Sequence, residues 1–189
     1  MNVILRNKRS NFQPLEDLFK SLAFQKHRNL NFYSPQVNIP LIRNVYSLSS
    51  KYNLDSTVVF KKPENASTEA AFGWNEVQSL EANSFSHVAL GGTFDYLHTA
   101  HKQLMSEALF LASEKLTIGL ATDELLKDKE LKCLMQNYET RLKAIQEFLE
   151  NSGKDIEIDI QPINDPCGPT AHDMGSFCKI LNFWKAKAF

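Results

Sequence analysis

The chain has 189 residues, 43% of them hydrophobic, with 13 phenylalanines and a formal net charge of -1. That is enough apolar material for a buried core and enough length for one domain with a substantial extension, which excludes a wholly disordered chain. The small net charge conceals an asymmetry: residues 1–62 hold ten of the 21 Lys and Arg but three of the 22 Asp and Glu, a balance of +7, leaving -8 over the rest. A basic third of this kind suits nucleic acid, an anionic membrane or the acidic remainder of the same chain. It carries no arginine-rich run and no aromatic interleaving, so a solvated basic face is expected and no nucleic-acid partner. No apolar stretch approaches the length that spans a membrane. Cys133, Cys167 and Cys178 form no C-x-x-C pair and are odd in number, which points to free thiols in a reducing compartment. Residues 1–12 carry Arg6, Lys8 and Arg9 without the apolar core of a secretory signal, so a cytoplasmic protein is expected.

Residues 1–80 read as an N-terminal extension of unknown role. One helix is expected over Leu15 to Phe24, with Leu15, Leu18, Phe19 and Leu22 on one face. Pro35 and Pro40 interrupt the next stretch, in which Ile39, Leu41, Ile42 and Val45 read as scattered strand material. Thr57 to Phe60 is a brief β-like run, Lys61 to Thr68 a linker, and Glu69 to Ala82 a short helix leading into the main domain.

The main domain is expected over residues 84–173. Ser86 to Gly91 reads as a buried strand, and Gly91 and Gly92 as a tight backbone bend that comes close to a ligand. Thr93 and Asp95 come next, then His98 and His101, then a helix to about Ser113 with Leu104, Met105, Ala108, Leu109 and Ala112 at helical spacing. A helix leaving such a bend points amide N–H groups and a positive dipole end at it, where a phosphate fits. Lys115 to Ala121 is a second, continuously apolar strand, followed by a lysine-rich connection holding Lys127 and Lys129. A second helix is expected from Asn137, its cap, to Asn151, with Leu142, Ile145, Phe148 and Leu149 turned inward. Asp155 to Ile160 is a strand wet on one face, and it runs into the turn-rich loop Asn164 to Thr170. The order strand, helix, strand, helix, strand predicts a parallel α/β sheet with ligands at the carboxyl ends of its strands.

An anionic phosphate acting as nucleophile needs no general base, because its attacking oxygen is already ionised. The site must instead position two polyanions and absorb charge at a pentacoordinate phosphorus. Imidazole N–H donors near a helix start and a nearby lysine suit that task. A two-histidine metal clamp would want a third ligand and a carboxylate, for which Glu107 and His172 are only loose candidates, so no protein-held metal is expected. Lys127 alone reads as a solvated lysine and Asp165 as turn chemistry. A dinucleotide site is disfavoured because Gly91-Gly92-Thr93 lacks the third glycine of G-x-G-x-x-G.

Gly92-Thr93-Phe94-Asp95 followed by His98-Thr99-Ala100-His101 resembles the signature of the nucleotidyltransferase superfamily related to class I tRNA synthetases. The fuller string from Leu90 to Lys102 is similar to the eukaryotic phosphopantetheine adenylyltransferases, which occur alone or as a domain of bifunctional CoA synthase. Leu125 to Lys129, Tyr138 to Arg141 and Asp165 to Thr170 resemble further pieces of that family in the same order. The resemblance runs from Val88 to Asp173. It implies a Rossmann-like α/β fold and the transfer of AMP from ATP to 4′-phosphopantetheine, giving dephospho-CoA and pyrophosphate, with magnesium accompanying ATP. By position, His101 would contact the ATP phosphates with His98 beside it. Gly92, Thr93 and Phe94 would contribute to ATP binding, with Thr93 bridging the two substrates. Lys127, or Lys129 if the alignment slips, would hold the phosphate of phosphopantetheine. Ala100 stands where the superfamily has glycine, and residues 174–189 form a basic-aromatic tail unlike the family. Three of the usual five strands are expected, which suggests a C-terminally truncated member. Two other readings are an inactive family member that binds nucleotide or a protein partner, and a related cytidylyltransferase.

Overall fold

Val3, Ile4 and Leu5 are a continuous apolar run between Asn2 and Arg6, and they form the buried centre of a strand, β1 (Asn2–Asn7), in the computed structural model. The structure describes residues 1–7, 15–26, 29–65, 68–72, 81–127, 131–164 and 177–179. They belong to two compact units.

The first unit comprises Met1–Leu80, His98–Glu107 and Phe148–Lys154. Its parallel sheet joins β1 to β2 (Leu30–Tyr33), β3 (Ser56–Val59) and β4 (Thr68–Phe72) in the order β3-β2-β1-β4. Helix α1 (Leu15–Phe24) has the predicted ends and buries Leu15, Phe19 and Leu22, with the Phe19 ring stacked on Phe32 at 5.0 Å. The reading of residues 39–45 as strand material is overturned. They open helix α2 (Ile39–Lys51), in which Ile39, Leu41, Ile42 and Val45 form a buried face. The Asn38 side chain caps it by accepting the Leu41 amide at 2.8 Å, and Pro40 lies in the first turn, where its missing N–H costs no helical bond. Residues 68–72 form a strand rather than the end of a linker and the start of a helix, because they pair with β1 from Val3↔Thr68 to Asn7↔Phe72. Residues 73–80 of the expected helix lie outside the described residues.

This unit also contains the opening of helix α3 (Thr99–Leu111) and the end of helix α4 (Tyr138–Ser152). The buried Tyr46 hydroxyl exchanges a hydrogen bond with Ser106 Oγ at 2.8 Å and accepts the Val58 amide at 3.1 Å. Arg43 clamps Glu107 with two bonds of 2.9 Å, and the Phe60 amide donates to the Ser152 carbonyl at 2.7 Å.

The second unit comprises Glu81–Leu97, Ala108–Glu147 and Asp155–Phe189. Its sheet is parallel throughout, in the order β7-β6-β5-β8, from β5 (Phe85–Gly92), β6 (Ala112–Ala121), β7 (Glu157–Ile163) and β8 (Phe177–Lys179). The predicted strand–helix order holds, so the α/β class read from the sequence is observed, with shifted bounds. Helix α3 ends at Leu111 and β6 begins at once, and β7 starts and ends later than the alternation of acid and isoleucine suggested. A fourth strand, β8, adds to the three expected and pairs with β5 at His87–Ala89. Val88, Leu116, Ile118, Leu120 and Ile145 are buried in the core. The carboxyl ends of β5, β6 and β7 lie side by side, with Gly92 opposite Leu120 and Ala121 opposite Ile163.

Candidate functional site

The candidate stretch leaves β5 at Gly92 and enters α3 at Thr99. The expectation that the two glycines make the bend is corrected. Both belong to β5, and the described glycine with a positive φ is Gly153 instead. The bend falls two and four residues later, at Phe94 (φ 50°) and Tyr96 (φ 42°). Side chains other than glycine in this left-handed region cost about 1–2 kcal/mol each, so the surroundings must enforce it. Gly92 matters for a different reason. A Cβ there would stand 3.2 Å from Cε2 of the Phe94 ring, which is folded back into the core at 1% exposure.

Three local contacts hold this loop. Asp95 Oδ1 accepts the Gln136 amide at 2.9 Å, and Gln136 Oε1 accepts the Tyr96 amide at 2.8 Å. The Tyr96 hydroxyl donates to the Leu134 carbonyl at 3.1 Å. Beneath them lies Arg141, fully buried, whose Nη1 donates to the Thr93 carbonyl at 2.9 Å. The side of its guanidinium toward β6 is held by the Ala121 carbonyl at 2.8 Å and by Asp123 Oδ1 at 2.7 Å. Arg141 closes the family-like stretch Tyr138 to Arg141, but the sequence alone assigns no role to it, to Gln136 or to Asp123. One signal for Arg141 was available: with Ile145, Phe148, Leu149 and Ser152 it occupies the buried stripe of α4, where an apolar residue belongs. Asn137 caps α4 as expected, accepting the Thr140 amide at 2.9 Å.

His98 and His101 lie in the first unit, at the start of α3. Their rings stack with centroids 3.8 Å apart and planes 24° from parallel. Part of the His98 ring is desolvated, which holds its pKa below the ordinary imidazole value. The first helical bond runs from the Lys102 amide to the His98 carbonyl at 3.0 Å, so the amides before it stand outside the helical ladder. Two imidazoles beside a helix start offer N–H donors to an anion without requiring a net positive charge.

Lys127 ends the turn after β6, with an exposed side chain and its amide bonded to the Glu124 carbonyl at 3.2 Å. Lys129, Asp165, Cys167 and His172 lie outside the described residues. Among the described residues no group of three or more His, Cys, Asp or Glu could hold a metal ion. The acids beside the loop are already engaged, Asp95 by Gln136 and Asp123 by Arg141 and the Tyr138 amide. No helix among the described residues is long and apolar enough to cross a membrane.

Residues 89–174 match the family model described as cytidylyltransferase-like. The chain is 41% identical over 102 residues to the phosphopantetheine adenylyltransferase of Saccharomyces cerevisiae, covering 54% of this chain and 33% of that protein. It is 36% identical over 89 residues to the phosphopantetheine adenylyltransferase of Methanopyrus kandleri, covering 47% of this chain and 55% of that protein. It is 46% identical over 66 residues to the protein of the same name from Pyrococcus horikoshii, covering 35% of this chain and 41% of that protein. The chain thus spans between a third and a little over half the length of these curated relatives. No solved structure matches it.

Proposed function

We propose that this chain, whose residues 89–174 carry a cytidylyltransferase-like nucleotidyltransferase domain, is a phosphopantetheine adenylyltransferase of coenzyme A synthesis. The reaction is transfer of AMP from ATP to 4′-phosphopantetheine, giving dephospho-CoA and pyrophosphate. The observation that carries the reading is the ordered string Leu90 to Lys102 leaving the carboxyl end of a parallel strand, in a segment similar to relatives of that name.

In this reading an oxygen of the phosphopantetheine phosphate attacks the α-phosphorus of ATP. A new P–O bond forms, the bond to the bridging oxygen breaks, and that electron pair leaves on pyrophosphate. No proton has to be removed from the nucleophile, so the residues serve by position and charge. His101 and His98 donate to the phosphates of ATP. Gly92 keeps the way to the strand end clear of a side chain, and Thr93 and Phe94 present backbone to the nucleotide. Lys127 or Lys129 neutralises the phosphate of the second substrate, and the exposed side chain of Lys127 suits that role. Magnesium would arrive on the phosphates of ATP and lower their charge. The odd cysteine count and absence of a C-x-x-C pair fit a cytoplasmic reaction.

The test is pyrophosphate release by the purified chain with 4′-phosphopantetheine and either ATP or CTP, beside a His101→Ala control. Turnover with ATP that is lost in the control is expected. Preference for CTP would instead make the chain a cytidylyltransferase. Nucleotide binding without turnover would leave a binding module.

A further inference from the structure

Arg141 heads the largest fully buried side chains among the described residues, and the reading of the motif makes no use of it. It leaves the first turn of α4 and commits its guanidinium to four acceptors. Nε donates to the Gln136 carbonyl at 3.0 Å, Nη1 to the Thr93 and Ala121 carbonyls at 2.9 and 2.8 Å, and Nη2 to Asp123 Oδ1 at 2.7 Å. These acceptors come from three segments: the loop after β5, the end of β6 with its following turn, and the stretch that leads into α4. Gln136 extends the hold, because its side chain accepts the Tyr96 amide while its own amide donates to Asp95.

Stability alone does not call for an arginine at this position. A buried cation must recover its lost hydration from its partners, and an apolar residue of similar volume often serves a core at least as well. What an arginine adds is a rigid planar fork of donors that fixes several carbonyls in one geometry. The loop it holds contains Phe94 and Tyr96 at positive φ, a conformation that persists only where neighbours impose it.

We propose that Arg141 is a positioning residue: through the Thr93 carbonyl and through Gln136 it keeps the Thr93–Tyr96 backbone in the conformation that receives the nucleotide, without touching substrate itself. What the loop receives rests on the adenylyl-transfer reading. That Arg141 holds the loop rests on the hydrogen bonds alone.

The experiment compares the whole chain with Arg141→Lys and Asp123→Asn, reading residue-resolved amide exchange and turnover of ATP with 4′-phosphopantetheine. A lysine keeps the charge but cannot span three carbonyls and a carboxylate. In Arg141→Lys the Tyr96 and Gln136 amides should exchange about tenfold faster while Val88 and Leu116 in the sheet keep their protection. Turnover should fall about 100-fold in kcat, with KM for ATP moved far less. Asp123 is half exposed and its substitution leaves the carbonyl bonds in place, so Asp123→Asn should fold and give a smaller acceleration at the same two amides. Unchanged exchange at Tyr96 and Gln136 in a folded variant overturns the proposal. So does acceleration spread evenly to Val88 and Leu116, which would make Arg141 a general stabiliser. If Arg141→Lys does not fold, the Asp123→Asn exchange pattern decides. Failure of the adenylyl-transfer reading shows separately, as wild-type chain that releases no pyrophosphate whatever its exchange pattern.

Discussion

The imidazoles of His98 and His101 stack at 3.8 Å, and partial desolvation holds the His98 pKa below its ordinary value. The neutral ring is therefore favoured in the folded chain, and in the proposed reaction His98 would meet a phosphate as a neutral N–H donor. It also fixes a sign. The unfolded chain binds a proton at His98 more readily than the folded one, so stability is complete above the unfolded value of about 6.5 and declines as the pH falls through it, levelling off below the folded pKa. Melting temperatures taken across this window should fall on the acid side for the wild type and fall less steeply for His98→Gln. Parallel profiles would remove the linkage from His98.

Tyr46 carries a second, purely structural expectation. Its hydroxyl is buried between Ser106 Oγ and the Val58 amide, and burial pushes its pKa up to about 12. Tyr46→Phe leaves both partners without their bond in a place water does not reach. A loss of about 1–3 kcal/mol is expected in urea unfolding, from the cost of unsatisfied buried polar groups. Ser106→Ala removes one partner and should cost less. Equal stability of wild type and Tyr46→Phe would mean that water replaces the hydroxyl.

The parts that were legible in the sequence are those whose cause is local. Helix α1 shows its ends because Leu15, Phe19 and Leu22 repeat at helical spacing with nothing competing. Helix α2 was hidden by Pro40, a breaker inside a helix but harmless in a first turn opened by Asn38. Strand β4 has the composition of a helix, and only pairing with β1, more than sixty residues earlier, makes it extended. The motif itself could be read, but not its bend. Two glycines look like a turn, yet the turn sits at Phe94 and Tyr96 because Gln136 and Arg141, about forty residues on, hold it there.

Acid stability of the first unit should depend on Glu16. Its Oε1 accepts Lys51 Nζ at 2.7 Å and the Tyr52 hydroxyl at 2.6 Å, and these donors, the lysine first, lower its pKa to about 2. A carboxylate depressed in the folded state stabilises above its unfolded pKa and loses that contribution as the pH falls toward the folded one. The window runs from about 4.5 down to about 2. Glu16→Gln should therefore flatten the acid limb of the stability profile there while changing little at neutral pH, where the pair is exposed and weak. An acid limb of unchanged slope would assign the loss to other carboxylates.

The close packing of the sheet beneath the motif gives the last expectation. Gly91 and Gly119 face each other across β5 and β6, and the Ile163 side chain lies over both. A Cβ on Gly119 would meet Ile163 Cγ2 at 3.0 Å, whereas one on Gly91 has 3.6 Å to its nearest neighbour, the Gly119 carbonyl oxygen. Gly119→Ala must push Ile163 aside, at an overpacking cost of about 1–3 kcal/mol, and Gly91→Ala should be tolerated better. Because the strain is with one side chain, Ile163→Ala in the Gly119→Ala background should cost less than the two substitutions added separately. Ile163 ends β7, its carbonyl accepts the Thr122 amide at 3.1 Å, and Thr122 Oγ1 donates to Asn164 Oδ1 at 2.7 Å. A displaced Ile163 would shift the carboxyl edge from which the lysine-bearing turn departs. On the proposed function, the single variant should then lose affinity for 4′-phosphopantetheine as well as stability, and the double variant should regain part of both. Additive unfolding energies would place the strain of Gly119→Ala in the backbone rather than against Ile163.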